Sequence, residues 1–161
     1  MSAILSLDDL AREATRLHAE GRRLVLTNGC FDLLHAGHVD YLERARALGD
    51  ALAVALNSDR SVRELKGPSR PVNCEQDRAR VMSALRAVDY VVVFDSLRVT
   101  DVIRTVRPAL YAKGGDYTVE TLDADERTAL QEVGTEIHIL PLVPGRSTTA
   151  ILARAAQPEK A

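Results

Sequence analysis

Three continuous apolar runs constrain this chain most: RLVLTNG at 23–29, ALAVALN at 51–57 and DYVVVF at 89–94. A strand with one wet face alternates apolar and polar residues. A run without alternation reads as a strand covered on both faces, as in a parallel sheet between helical layers. The segments between the runs carry helical punctuation. Ser6 places a capping hydroxyl before Asp8 and Asp9, Leu7, Leu10, Ala14 and Leu17 share one face, and Gly21 stops the helix. HVDYLERARALG predicts a helix from about Gly37 to Gly49, and SDRSVRELKG a short helix ended by Gly67. KGPSRPVN is a Gly/Pro loop, after which Asn73 is placed to cap a helix through Ala87. VTDVIRTVRP predicts a helix ending near Pro108, ALYAKGG a fourth strand, 121–133 a helix, and TEIHILP a fifth strand. LVPGRST leads into a last helix to about Ala156, with QPEKA (157–161) as a frayed tail.

Repeated strand–helix units imply right-handed crossovers. The expected fold is α/β: a doubly wound, parallel five-stranded sheet of Rossmann-like form, with 1–161 as one domain. At this length a single core buries about 70% of the unfolded chain's surface. Net charge is −2, which argues against a nucleic-acid-binding face, and no apolar stretch is long enough for a membrane span. The amino-terminal residues lack a cationic start and apolar core, so a cytoplasmic protein is expected. Cys30 and Cys74 lack metal-ligand spacing and read as free thiols.

In a doubly wound sheet, ligands bind beyond the carboxyl ends of the strands. The segment TNGCFDLLHAGH (27–38) falls there, where a strand hands over to a helix. His35 and His38 flank the helix amino end, Gly37 permits close approach, and free N–H groups there favour an anion. Two imidazoles beside such an end suit a polyphosphate whose charge grows at the reacting phosphorus, although helix caps or surface histidines would read the same way. Asp32 faces the same mouth as a candidate Mg²⁺ ligand or a turn aspartate, and Asn28 and Gly29 as ligand contacts or turn residues. Asn57 and Asp59 follow the second strand, and Lys66 and Arg70 sit in or beside the loop after it. Those cations, and Arg78 a turn into the next helix, suit a phosphate-bearing second substrate or are plain surface charge. Lys113, Gly114, Gly115 and Asp116 follow the fourth strand, as phosphate and base contacts or a simple turn. Arg146, Ser147, Thr148 and Thr149 open the last helix, as phosphate donors or caps. The chain has no G-x-x-x-x-G-K-[ST], no G-x-G-x-x-G and no G-x-S-x-G. Residues gathered from five strand ends suit positional and electrostatic catalysis of phosphoryl or nucleotidyl transfer.

HAGH at 35–38 with GRSTT at 145–149 resembles the HxGH nucleotidyltransferase superfamily, which includes cytidylyltransferases and pantetheine-phosphate adenylyltransferases. From about Arg23 to Leu152, TNGCFDLLHAGHVDYL, NSDRSV, LKGPSRPVN, DYVVVF, KGGDY and STTAI together resemble the adenylyltransferase half of bacterial ADP-heptose synthase. The resemblance implies AMP transfer from ATP, with Mg²⁺, to D-glycero-β-D-manno-heptose 1-phosphate, by in-line attack and without a covalent enzyme intermediate. It implies that His35, His38, Lys66 and Arg146 carry the chemistry. Asn28, Gly29, Phe31, Gly37, Lys113, Gly114, Gly115, Asp116, Ser147, Thr148 and Thr149 would then border the nucleotide, and Asp32, Asn57, Asp59, Arg70 and Arg78 the sugar phosphate. It does not extend to the sugar kinase half, so a stand-alone transferase supplied by a separate kinase is expected. Family precedent and the apolar VVVF run suggest a homodimer. GRST stands where many relatives have GCST, and Arg146 there resembles the cytidylyltransferase motif. The rival expectations are a cytidylyltransferase acting on a polyol phosphate such as glycerol 3-phosphate, and a non-catalytic nucleotide-binding module.

Overall fold

A computed structural model describes residues 3–115, 118–141, 143–145 and 147–156. The elements run β1 (Ala3–Ile4), α1 (Leu7–Ala19), β2 (Leu24–Gly29), α2 (Ala36–Arg46), β3 (Ala51–Asn57), α3 (Asp59–Lys66) and α4 (Glu75–Ser83). They continue β4 (Tyr90–Phe94), α5 (Thr100–Val106), β5 (Leu110–Gly114), α6 (Ala124–Val133), β6 (Glu136–Leu140) and α7 (Thr148–Ala155). The strands form one sheet in the order β1-β4-β3-β2-β5-β6, and every pairing is parallel. The sheet therefore has six strands where the sequence predicts five. The addition is β1, which pairs Ala3 with Tyr90 and Ile4 with Val91. Two residues are too few for an apolar pattern to register.

The central strand shows why the runs do not alternate. Ala51, Ala53 and Ala55 face a core built with α1, α5 and α6. Leu52, Val54 and Leu56 face a second core built with α2 and α4. Every residue of β3 is buried, so both faces of the strand demand apolar side chains. The VVVF run is likewise interior, with Val91, Val92 and Phe94 all buried. Val93 between them is half-buried.

Two local expectations change. Helix α4 starts from Cys74, and Asn73 turns its backbone N–H and side-chain amide towards Asp32 instead of capping the helix. Helix α6 begins at Ala124 and not near 121, because the Asp123 carboxylate accepts from the N–H groups of Asp125 and Glu126 and fixes the start.

The chain builds β2, β3 and β4 outward in one direction, then crosses back to lay β5 on the other side of β2. The reversal lies between β2 and β5. Strand β2 matches β3 at six positions, from Leu24–Ala51 to Gly29–Leu56. It matches β5 at only two, Val25–Leu110 and Leu26–Tyr111. Beyond them the strands part, and the Tyr41 hydroxyl spans the gap, 2.7 Å from Thr27 Oγ1 and donating to the Ala112 carbonyl at 3.0 Å. Burial pushes the Tyr41 phenol up to about 12, so it stays a neutral strut.

Candidate active site

A cavity of about 510 Å³ opens at that split, across the carboxyl ends of the strands. The structure brings to it Asn28, Gly29, Phe31, Asp32 and His38 from the turn after β2, and Asn57, Lys66 and Arg70 from the β3 side. Lys113 and Gly114 enter from β5, and Thr148 and Thr149 from α7.

His35 is the N-cap residue of α2, yet its side chain makes no capping hydrogen bond. Its ring stacks on His38 with centroids 3.8 Å apart and planes 18° from parallel. The Phe31 ring meets His38 edge-on at 5.2 Å. Phe31 adopts φ 44°, in the left-handed region that costs a side chain about 1–2 kcal/mol. Gly29 makes room for it, since a Cβ there would stand 2.8 Å from Phe31 Cε2. No acid sits in the first turn of α2, so its positive end is not neutralised from within. Burial, and then the neighbouring His35, lower the His38 pKa to about 4. Its imidazole is neutral near pH 7, and its Nδ1 is buried with no hydrogen-bond partner among the described residues. Gly37 is buried in the first turn of α2.

The cations around the cavity are not equivalent. Arg70 Nε lies 2.6 Å from Asp32, Lys113 Nζ 3.0 Å from Glu126, and Arg98 Nη2 3.0 Å from Asp123. Among the described residues Lys66, the last residue of α3, has no carboxylate partner. It is the cation whose charge is least compensated when a phosphate arrives.

Two candidates for substrate contact are fasteners. Asp32, whose side chain is 1% exposed, takes Arg70 and the N–H groups of Val72 and Asn73 at 2.6–3.0 Å. Burial alone would raise its pKa, but those N–H groups and Arg70 bring it below the usual carboxylate value. With three donors already on its oxygens, this carboxylate does not fit a Mg²⁺ ligand, and no group of three potential metal ligands occurs among the described residues. Arg78 is buried and donates to the carbonyls of Cys30, Asn57 and Asn73 and to the Asp59 carboxylate. It welds the turn after β2, the end of β3 and the 67–73 loop together, and so fixes Asp59 and the Asn57 backbone.

At α7, Ser147 accepts from Ala150 N–H as an N-cap, and Thr148 donates to the Leu33 carbonyl at 3.1 Å, tying the helix start to the HAGH turn. Gly115 has φ 139°, a conformation that suits glycine, as the chain leaves β5. Arg146, Asp116 and the 157–161 tail lie outside the described residues. Sequence reasoning missed Leu97 and Arg98 after β4, and Glu126, all of which line the cavity. Glu126 had a misleading signal: Asp123-Ala-Asp-Glu126 reads as a solvent-facing capping box, yet the glutamate is 4% exposed.

A parallel sheet split at its switch point, with paired imidazoles at a helix amino end and a lysine that has no carboxylate partner among the described residues, fits an α/β enzyme that transfers nucleotidyl groups. A family profile described as "Cytidylyltransferase-like" matches residues 26–154, and the chain belongs to that family. It is 52% identical over 134 residues to "Bifunctional protein HldE" of Syntrophotalea carbinolica, covering 83% of this chain and 27% of that protein. To the protein of the same name from Methylobacillus flagellatus it is 48% identical over 153 residues, covering 95% and 31%. The chain thus spans under a third of the length of these relatives. Among solved structures, a lipopolysaccharide core biosynthesis protein from Thermoplasma volcanium matches with a TM-score of 0.63 and 27% identity, covering 76% of this chain and 98% of that one. A pantoate-beta-alanine ligase from Francisella tularensis shares the fold with a TM-score of 0.60 at 11% identity, covering 92% and 69%. Among the described residues no helix is long and apolar enough to cross a membrane.

Proposed function

We propose that the chain transfers AMP from ATP to D-glycero-β-D-manno-heptose 1-phosphate, giving ADP-heptose and pyrophosphate. The observation that carries the reaction type is the stacked His35–His38 pair at the amino end of α2, with His38 opening into the cavity. The acceptor's phosphate oxygen attacks the α-phosphorus, the bond from that phosphorus to the α,β-bridging oxygen breaks in line, and pyrophosphate leaves with the electron pair. No enzyme nucleophile is needed. The His38 imidazole and the N–H groups of α2 stabilise charge on the α-phosphoryl oxygens as it builds. Lys66 holds the acceptor phosphate at the cavity rim, on the arm that the Asp32–Arg70 clasp keeps in place. Thr148 and Thr149 border the triphosphate with Ser147, and Arg146, next to it in sequence, is assigned to the same group by the family resemblance. Mg²⁺ is an expected companion of the nucleotide, and no step above is routed through it.

The choice of heptose and of ATP is supported by the HldE relatives and by the resemblance of KGPSRP and KGGDY to the ADP-heptose synthase transferase half. In that setting the phosphorylated sugar is the product of a sugar kinase activity in the cytoplasm, and the enzyme works as a homodimer. The test is pyrophosphate release with ATP, CTP or GTP against a panel of phosphorylated acceptors. ATP with heptose 1-phosphate is the expected productive pair. Turnover with CTP and glycerol 3-phosphate alone would overturn the substrate assignment, and nucleotide binding without turnover would overturn the enzyme.

A further inference from the structure

Glu126 has no place in the chemistry above, yet it is a carboxylate buried in the wall of the same cavity. Its Oε2 accepts from Lys113 Nζ at 3.0 Å and lies 3.4 Å from the Tyr111 hydroxyl. Lys113 Nζ also lies 3.4 Å from Asn28 Oδ1 and 3.4 Å from the Tyr111 oxygen. Tyr111, itself fully buried, donates to Asn28 Oδ1 at 2.6 Å.

These contacts fix which way the Asn28 amide points. An ammonium has donors only, so the Asn28 atom facing Lys113 is the carbonyl oxygen. The single Tyr111 proton goes to that same oxygen at the shorter distance. The NH₂ of Asn28 therefore faces away from the cluster, on the side where Asn28 lines the cavity, and no described residue accepts from it. Glu126 compensates the charge of Lys113 and keeps the ammonium in the cluster instead of releasing it to a phosphate.

We propose that Glu126 is a positioning residue: through Lys113 and Tyr111 it holds the Asn28 amide with its N–H donors aimed into the cavity, where they take an acceptor oxygen of the bound nucleoside triphosphate. This rests on the nucleotide reading of the cavity. Without Glu126 the lysine loses the carboxylate 3.0 Å from its Nζ, and its hold on the Asn28 amide is weakened.

The test measures ATP binding by calorimetry and the melting temperature of the full chain, for wild type, Glu126→Gln, Lys113→Met, the double variant and Asn28→Asp. Glu126→Gln weakens ATP binding by about tenfold or more and raises KM for ATP more than it lowers kcat. Removing both charges in the double variant returns the melting temperature towards wild type but leaves ATP binding weak. Asn28→Asp keeps the inward acceptor and replaces the donors with an anionic oxygen. It weakens ATP binding by about 10²-fold and is informative even if Glu126→Gln folds poorly. A double variant that regains ATP affinity along with its melting temperature would make the pair merely structural and overturn the inference. So would an Asn28→Asp protein that binds ATP as wild type does. Wild type that binds no nucleoside triphosphate would refute the nucleotide reading itself, whereas wild type that binds beside unaffected variants refutes this inference alone.

Discussion

Replacing His38 by alanine separates catalysis from architecture. Its ring touches His35 at 3.8 Å and Phe31 at 5.2 Å. Losing two aromatic contacts costs about 1–3 kcal/mol. For a domain of this size that lowers the melting temperature by about 2–4 °C per kcal/mol. The loss is partly offset, because Nδ1 is buried without a partner among the described residues, and truncation removes that desolvated atom too. The catalytic cost is larger. Removing one preorganised donor from a developing oxyanion costs about 10²–10³ in rate, or about 2.7–4 kcal/mol. Pyrophosphate release at saturating ATP and acceptor, well below the melting temperature, should therefore fall about 10²-fold or more. ATP affinity by calorimetry should change by less than about threefold, because the interaction strengthens only in the transition state. His38→Gln, which returns an N–H donor, should recover part of kcat. A kcat loss below tenfold, or a loss matched by an equal fall in ATP affinity, would refute the transition-state role.

Lys66→Ala should raise KM for the sugar phosphate while ATP binding holds; loss of ATP binding alone would assign the lysine to the other substrate. Gly29→Ala puts a Cβ 2.8 Å from the Phe31 ring, so Phe31 must leave the edge of His38; kcat should fall with little change in either KM, and unaltered turnover would show that the Phe31 contact is idle. Asp32→Asn breaks a clasp whose carboxylate is 1% exposed and whose arginine is 17% exposed. Chemical denaturation should register a loss of about 3–5 kcal/mol, the usual result of orphaning a buried charge, and acceptor KM should rise. Added Mg²⁺ should not rescue the variant, and rescue would restore the metal-ligand reading. Because the folded pKa of His38 is about 4 against 6.5 when unfolded, the unfolded chain binds the extra proton between those values. Native stability from this group is present above about pH 6.5 and is lost as pH falls towards 4. The urea midpoint of His38→Ala should drop less over that window than that of wild type, and parallel drops would mean that the imidazole titrates normally.

The features legible in the sequence share one property: their consequences are local in the chain. A run without alternation needs two covered faces wherever it lies, so the central strands and the helical layers follow directly. The HAGH turn carries its own strand end, glycine and helix start within a few residues, which places His35, Gly37 and His38 without tertiary knowledge. What escaped depends on residues far apart meeting. Asp32 resembles a metal ligand until the 67–73 loop folds over it and fills both oxygens. Arg78 resembles a phosphate hook until three carbonyls from separate segments claim its N–H groups. Glu126 resembles a surface cap until β5 brings Lys113 beneath it. In each case a charged side chain is taken from solvent, or from substrate, with at least one partner 13 or more residues away. Sequence therefore overcounts the charges free to meet a phosphate. Once the pairs are formed, Lys66 stands apart among the described cavity cations, and the acceptor-side electrostatics rest on it more heavily than the string of basic residues suggests. Loss of Lys66 should accordingly raise acceptor KM more than loss of Arg70, whose charge Asp32 already offsets.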